Sequence, residues 1–333
     1  MKKVTIKDVA KVAGVSHITV SRVLHNSELV RPETKKTVSD AIHLLNYVPD
    51  FNARGLVSKQ SHTIGLFFST LKIGTSANFF HNIVLDVFDV MKNKYNVVLH
   101  GIDECLDFEI IKQYNFDGIL VFSQRYSDDQ WLSSILDIGI PIVVMNQMIY
   151  PDQIVSFVFN DEQGAYDAAK LLFKNGHKQI AIIEGPSDFP SSKRKKQGVL
   201  KALQEVSLSI PAEYCLQGDY TFLGGYHSAK KILTFSSRPT AVFCFNDNMA
   251  LGAYRAIMEA GLQIPADISV IGFDGSTFAE YATPVLTTVN RPISNMSRLA
   301  AENMLQILKK PATGITIIPT KLVAGKSVKN LYT

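Results

Sequence analysis

Residues 4–26, VTIKDVAKVAGVSHITVSRVLHN, constrain the fold more tightly than any other stretch of the chain. At helical period Ile6, Val9, Ala10 and Ala13 fall on one face, and Gly14 ends the run. Thr5 stands where an N-cap belongs, its hydroxyl able to accept from an otherwise orphan amide. Ser16 has the same place before a second helix, whose apolar positions are Val20, Val23 and Leu24. Two short helices across a glycine-containing turn form a helix-turn-helix, whose second helix lies in the DNA major groove. The pattern also fits an ordinary helical hairpin, so on its own it leaves the role of the motif open.

Charge favours DNA. Residues 1–60 hold ten Lys and Arg against five Asp and Glu, a balance of +5, while the whole chain carries +4, so the rest is at −1. A basic head on a near-neutral body is the footprint of a phosphate-binding module attached to a second function.

The segment TIKDVAKVAGVSHITVSRVLHNSELVRPETKKTVSDAIHLLNYVPDFNARGL resembles, almost position by position, the head of the lactose-repressor (LacI/GalR) family of bacterial transcriptional regulators. The resemblance places His17 and Ile18 at the family's main base-reading positions, with Arg22 one turn on. His17 can donate to guanine N7 or O6, Ile18 offers a surface for a thymine methyl, and Arg22 suits a bidentate pair with guanine. Thr5, Ser16, Thr19, Ser21 and Asn26 are read as phosphate binders, which position without specifying. A third helix follows, with Pro32 in its first turn and Val38, Ala41, Ile42 and Leu45 as its stripe.

DFNARGLVS (50–58) then matches the family's hinge, which folds on DNA so that paired hinge helices of a dimer enter the minor groove. Leu56 aligns with the wedge between central base pairs, and Ala53 and Arg54 match the pattern. Gly55 costs a helix about 1 kcal/mol against alanine, so the hinge is expected to order only on DNA.

From residue 62 onward apolar strand runs alternate with helical segments. The runs TIGLFF, NVVLHG, GILVF, PIVVMN, SFVFND, QIAIIEG, TAVFCFN and ISVIGFD read as strands, with helices near 78–94, 164–175, 193–205, 224–233 and 248–260. Continuous Val, Ile, Leu and Phe runs between helices indicate parallel, doubly wound sheets, and eight units imply two lobes. Many runs end in a polar side chain: Ser69, Asn146, Asn160-Asp161, Glu184, Asn246-Asp247 and Asp274. Ligands bind beyond the carboxyl ends of such strands, and Asp and Asn suit vicinal hydroxyls. Strand-end Asp and Asn also cap the next helix, the plainer explanation of each one alone. Phe79, Phe80, Tyr220 and Phe278 are candidates to stack on a sugar face.

Here too the chain resembles the family, through PTAVFCFNDNMALGAYRAIMEAGLQIPADISVIGFDGSTFAEYATPVLTTVNRP, NGHKQIAIIEGP and LTTVNRPISNMSRLAAENMLQIL. The resemblance implies a small all-α helix-turn-helix head (1–49), a hinge helix and linker (50–61), and an α/β periplasmic-binding-protein-like core (62–333) of two doubly wound parallel-sheet lobes. The lobes would comprise about 62–160 plus 291–320, and about 162–289 plus 321–333. It makes Asn246 and Asp274 effector ligands, with Phe79 lining the pocket and Tyr220 stacking; Ser69, Asn146 and Asp161 join them as strand-end polar groups.

Departures from the pattern matter. Lys195 stands where the family has a sugar-binding arginine three residues before glycine, which exchanges a planar fork for a point charge. Asn146-Gln147 replaces the common Asp-Arg, and Gly275 follows Asp274 in place of a second Asp. The run Lys193-Arg194-Lys195-Lys196 reads as a solvated helix start, or else as the meeting place of an acidic or phosphorylated effector or a partner protein.

No run of 18 apolar residues and no secretory leader appear, and Cys105, Cys215 and Cys244 lack metal or redox spacing. A cytoplasmic protein with no membrane contact is expected, with no metal and no cofactor. Gly325-Lys326-Ser327 lacks the earlier glycine of a phosphate loop, no catalytic order stands out, and an enzyme is not expected. The absence of a heptad tail favours a homodimer over a tetramer. The chain therefore reads as a repressor of carbohydrate-utilisation genes, binding a pseudo-palindromic operator under control of a sugar or sugar phosphate. A regulator governed mainly by a partner protein or phosphorylated metabolite is the alternative. The basic head speaks against a plain sugar-binding protein.

Overall fold

The structure, a computed structural model, describes residues 4–24, 27, 29–45, 47, 61–72, 77–106, 108–149 and 152–332. Residues 4–47 and the stretch from Thr63 onward belong to separate compact units.

The head is three helices, α1 (Ile6–Ala13), α2 (His17–Leu24) and α3 (Pro32–Leu44). The apolar stripes meet as expected: Val9, Ala10, Ala13, Val20, Val38 and Ala41 are buried, with Ile6, Val23, Leu24, Ile42 and Leu45 packed around them. Gly14 ends α1 in the left-handed conformation (φ 65°), which a side chain would strain. The first cap is a capping box, in which the Thr5 side chain faces the Asp8 amide as expected and the Asp8 side chain reaches back. The Thr5 amide and hydroxyl both donate to the Asp8 carboxylate (2.8 and 2.7 Å). At α2 the Thr19 amide donates to Ser16 Oγ (3.1 Å), the cap foreseen there.

In the body, β1 (Thr63–Phe68), β2 (Asn96–Gly101), β3 (Gly118–Phe122), β4 (Ile142–Met145), β5 (Val155–Phe159) and β11 (Gly314–Ile318) form a parallel sheet in the order β11-β5-β4-β3-β1-β2. A second parallel sheet has the order β7-β6-β8-β9, from β6 (Ile180–Glu184), β7 (Cys215–Gln217), β8 (Ala241–Cys244) and β9 (Ser269–Ile271). β10 (Thr288–Asn290) and β12 (Lys321–Val323) pair antiparallel with each other. The inner parallel strands β1, β3, β4, β5 and β8 are buried throughout, which is why they read as continuous apolar runs, while β2, β7 and β11 at the sheet edges are partly exposed.

Helices connect these strands: α4 (Ala77–Met91), α5 (Glu109–Tyr114), α6 (Asp128–Ile138), α7 (Asp161–Lys174), α8 (Pro190–Glu205), α9 (Phe222–Leu233), α10 (Asp247–Glu259), α11 (Thr277–Tyr281) and α12 (Ile293–Ile307). The five expected helices all begin somewhat earlier than their apolar period indicates, and polar side chains cap three of them. Asn160, Thr221 and Asn246 accept from the amides of Gln163, Gly224 and Met249 at the starts of α7, α9 and α10. Each sheet reverses its winding beside its first strand, between β1 and β3 and between β6 and β8. Ligand crevices form at such points, beyond the carboxyl ends of the strands. Among the described residues no helix is long and apolar enough to cross a membrane.

Candidate functional site

Along α2, Val20 is sunk in the head core, so the helix turns His17, Ile18 and Arg22 to solvent. Ile18 is 54% exposed, an apolar side chain that the head's own core leaves uncovered. Thr5 and Ser16 are exposed, and Thr19 and Ser21 are half-buried beside them. Asn26, Ala53, Arg54 and Leu56 lie outside the described residues, and with them the hinge.

In the body a small cavity of about 30 Å³ lies beyond the strand ends of the two sheets. That volume holds a water or two, so a sugar enters only if the cleft widens. Phe79, Asn146, Lys195, Tyr220, Asn246 and Asp274 line it, six of the eight residues expected at an effector site. Asp161 stands just behind its wall. Ser69 does not reach it: its hydroxyl donates to Asp128 Oδ2 (2.5 Å) and accepts from the Gln124 amide (2.8 Å). Ser69 thus holds the backbone of a lining residue, Gln124, in place. Phe80 packs against Phe68, and Phe278 stands exposed against Phe222, so neither stacks in the cavity.

The wall is organised by Arg291, which the sequence reading did not single out. It is 5% exposed and follows β10, its backbone amide donating to the Asp274 carbonyl (3.1 Å). Its Nε is 3.0 Å from Asp161 Oδ1, and its Nη2 donates to Asn146 Oδ1 (2.5 Å). Nη1 lies 3.6 Å from Asp274 Oδ1, while the guanidinium stacks over the rings of Phe79 and Phe159 (5.4 and 4.4 Å). Asp161, fully buried at the first turn of α7, also receives Arg194 Nη2 at 3.2 Å, and the positive end of the helix favours its charge. The same Arg194 nitrogen donates to the Asn146 carbonyl (3.2 Å).

Lys195 is carried into this cluster by α8. Gly198, one turn on, meets the Glu162 carbonyl so closely that a Cβ there would lie 2.0 Å from it. The missing side chain lets α8 pack against the start of α7, and this is what the Lys-x-x-Gly spacing encodes. Lys195 Nζ donates to the Phe245 carbonyl (2.7 Å), sits 4.1 Å over the Phe273 ring and stands 3.9 Å from Asp274 Oδ1. Burial pushes its amine down to about 8, with Asp274 pulling the other way. Burial likewise raises Asp274, against the pull of Lys195 and Arg291.

The four-residue basic run is therefore divided. Lys195 lines the cleft, Arg194 pairs with Asp161 behind its wall, Lys193 is exposed, and Lys196 pairs with Glu184 at 2.8 Å. Asn246 serves twice, capping α10 and donating to the Tyr220 carbonyl (2.9 Å) while lining the cavity. Of the seven non-glycine residues with positive φ among those described, three line the cleft: Asn146 (72°), Tyr220 (65°) and Asp274 (118°). Such strain gathers where surrounding structure fixes side chains for a task. Tyr220 is accommodated by Gly185, where a Cβ would fall 2.0 Å from its ring. Among the described residues no group of three or more His, Cys, Asp or Glu converges on a metal position.

An exposed reading helix on a small helical head and a polar cleft at the switch points of two parallel sheets together define a ligand-responsive DNA-binding regulator. Comparison with known proteins makes the class specific. Residues 5–50 match the family model described as bacterial regulatory proteins, lacI family, and residues 169–328 match a periplasmic binding protein-like domain. The chain is 40% identical to the probable HTH-type transcriptional repressor ExuR of Bacillus subtilis (strain 168), over 99% of this chain and all of that one. The lac repressor dimer bound to operator and the anti-inducer ONPF superposes with a TM-score of 0.85 at 30% identity, covering 98% of this chain and 100% of that one. A transcriptional regulator CelR–cellobiose complex superposes at 0.73 and 29% identity, with the same coverage. The chain belongs to the LacI family: it is a helix-turn-helix transcriptional regulator.

Proposed function

We propose that this regulator represses carbohydrate-utilisation genes from a pseudo-palindromic operator, and that a small hydroxyl-rich effector in the cleft sets its operator affinity. The observation that carries the reading is the buried Asp161–Arg291–Asp274 chain, with Asn146 and Asn246 beside it: polar groups from two sheets converging on one crevice. Interiors tolerate such a cluster only when its members are paired, and a polyol offers the donors and acceptors to extend that pairing. CelR, solved with cellobiose, and the lac repressor, solved with ONPF on operator, are relatives whose structures suit this reading.

In this reading two copies each place His17, Ile18 and Arg22 in one half-site, with Thr5, Ser16, Thr19, Ser21 and Asn26 on phosphates. Ala53, Arg54 and Leu56 act at the operator centre. The protein works in the cytoplasm, by binding and not by turnover. Effector changes the angle of the lobes and hence the separation of the hinges, and the coupling is reciprocal: operator must shift effector affinity by the same factor.

The test has two stages. Selection from random duplexes at moderate salt should return a two-fold symmetric site. Operator affinity should then change at least about fivefold, the lower range of allosteric coupling, with one member of a sugar panel. Failure to recover any symmetric site would refute the operator reading, and an operator affinity indifferent to every small molecule would refute the effector reading.

A further inference from the structure

The narrow cleft is bounded on two flanks. Arg291, paired with Asp161, bounds one, where the chain passes between the sheets after β5 and after β10. Two loops distant in sequence bound the other: 123–127, between β3 and α6, and 185–189, between β6 and α8. The Tyr126 amide donates to the Asp188 carbonyl (3.0 Å), and Arg125 Nε lies 3.8 Å from Asp188 Oδ2. The same guanidinium stands over the Phe189 ring at 5.8 Å. Gln124 and Phe189, next to these contacts, line the cavity.

Each loop is held firmly by its own side of the cleft. Buried Asp128 braces the first: its Oδ2 lies 2.5 and 2.7 Å from the Ser69 and Ser123 hydroxyls and 3.3 Å from the Gln124 and Arg125 amides. In the second, Phe189 packs edge-on against Tyr220 (5.4 Å), and α8 begins at the next residue. The contact between the loops is slight by comparison. Arg125 Nε is buried without a hydrogen bond, and the Asp188 side chain is 55% exposed. An ion pair so open to water parts easily, while each loop keeps its shape.

We propose that residues 125–126 and 188–189 form a latch, which holds the cleft in a form too narrow for a sugar and must part before effector can enter. The proposal rests on the effector reading above and adds the gate to that site. Effector binding then carries the cost of opening, and apparent affinity falls by the fraction of chains in which the latch is parted. Because α8 leaves directly from the second loop, parting the latch also frees the helix that carries Arg194 and Lys195.

The test needs no sugar. Hydrogen exchange resolved to single amides in the full chain should find the Tyr126 amide protected, its opening reporting the latch. Arg125→Glu and Asp188→Lys should each speed that exchange about two- to fivefold, the range a solvent-open ion pair can supply. The Gln124 amide, bonded within its own side to Ser69 Oγ (2.8 Å), should keep its rate. The two changes together should restore most of the protection, because the charges then stand exchanged across the same gap. With no small molecule added, both single changes should move operator affinity in the same direction, and the double change should return it. A Tyr126 amide that exchanges freely, or whose rate ignores the single changes, overturns the latch and leaves the effector reading standing. Failure of the double change to restore protection also overturns it, as does an operator affinity blind to faster exchange. Protection behaving as expected beside an operator affinity indifferent to the sugar panel strikes the effector reading instead.

Discussion

In the head, the side chains assigned to DNA stand in solvent: His17, Ile18 and Arg22 are exposed on a helix whose opposite side is buried. In the body, the groups around the cleft are the reverse: Lys195 is 2% exposed, Asp161 not at all, and each is tied to partners from distant parts of the chain. The difference teaches where each function's energy resides. The head's contacts are made only when a partner arrives, so its own fold loses little when they change. The cleft's polar groups are part of the core, so a change there is felt first as stability and only afterwards as affinity.

The largest effect should come from Arg291. Replacing it with methionine leaves Asp161 with Arg194 alone and Asp274 with Lys195 alone, and strips Asn146 Oδ1 of its donor. Breaking a buried pair from one side costs about 3–5 kcal/mol, so unfolding of the body by urea should show a loss of that order. Arg291→Lys should restore less than half, because one ammonium cannot span Asp161 and Asn146 together. A loss under 1 kcal/mol would erase the contrast between the two regions.

Next is a slope with pH. Asp247 is pushed up from its ordinary 3.8 to about 7, by burial and then by Asp274. Between about pH 4 and 7 the folded chain keeps a proton there that the unfolded chain has lost. Stability from this group is therefore complete below pH 4 and drains away as pH rises to 7. Lys195, pushed down to about 8, acts outside that window, favouring the fold as pH climbs above 8. Urea unfolding at half-unit steps from pH 4.5 to 7.5 should show the unaltered protein losing ground to Asp247→Asn as pH rises. A constant gap would mean the carboxylate is charged throughout.

These contrasts also explain what could be read in advance. The head was legible because everything in it is local: Thr5, Gly14 and Ser16 mark helix ends, and Val9 and Val20 recur at helical period. Eight strands were legible for a similar reason, as apolar runs ending in a polar residue, whereas β7, β10, β11 and β12, short or partly exposed, were not read from the sequence. Arg291 was not. It follows a three-residue strand, and its partners Asn146 and Asp161 are 145 and 130 residues away, so no periodicity marks it. Its only sequence signal was its place in LTTVNRPISNM, within the family-like stretch. Ser69 shows the same limit from the opposite side, a strand-end hydroxyl whose hydrogen bonds turn to Asp128 and Gln124.

For the head, Arg22→Ala should cost about 1–3 kcal/mol of operator affinity and relax the preference at one base pair per half-site. Thermal stability should move by no more than about 0.5 kcal/mol, as at other exposed positions. Competition binding with single-base operator variants separates this from a phosphate contact, whose loss weakens all sequences alike. Equal weakening of every variant would reassign Arg22 to the backbone.

The smallest effect sharpens the comparison within one helix. Lys195 and Lys196 are sequence neighbours on α8, yet the first is enclosed by Phe273, Phe245 and Asp274, and the second reaches Glu184 with a side chain 44% exposed. A pair so open to solvent is worth about 0.2–1 kcal/mol, less at high salt. Lys196→Ala should therefore shift urea unfolding by less than 1 kcal/mol and leave effector affinity unchanged. The ion pair with Glu184 that raises the Lys196 amine should not alter this, since the ammonium end keeps water. If Lys196→Ala instead weakened the effector as much as Lys195→Gln, the charge that matters would be the whole basic run, and the division made by burial would be wrong.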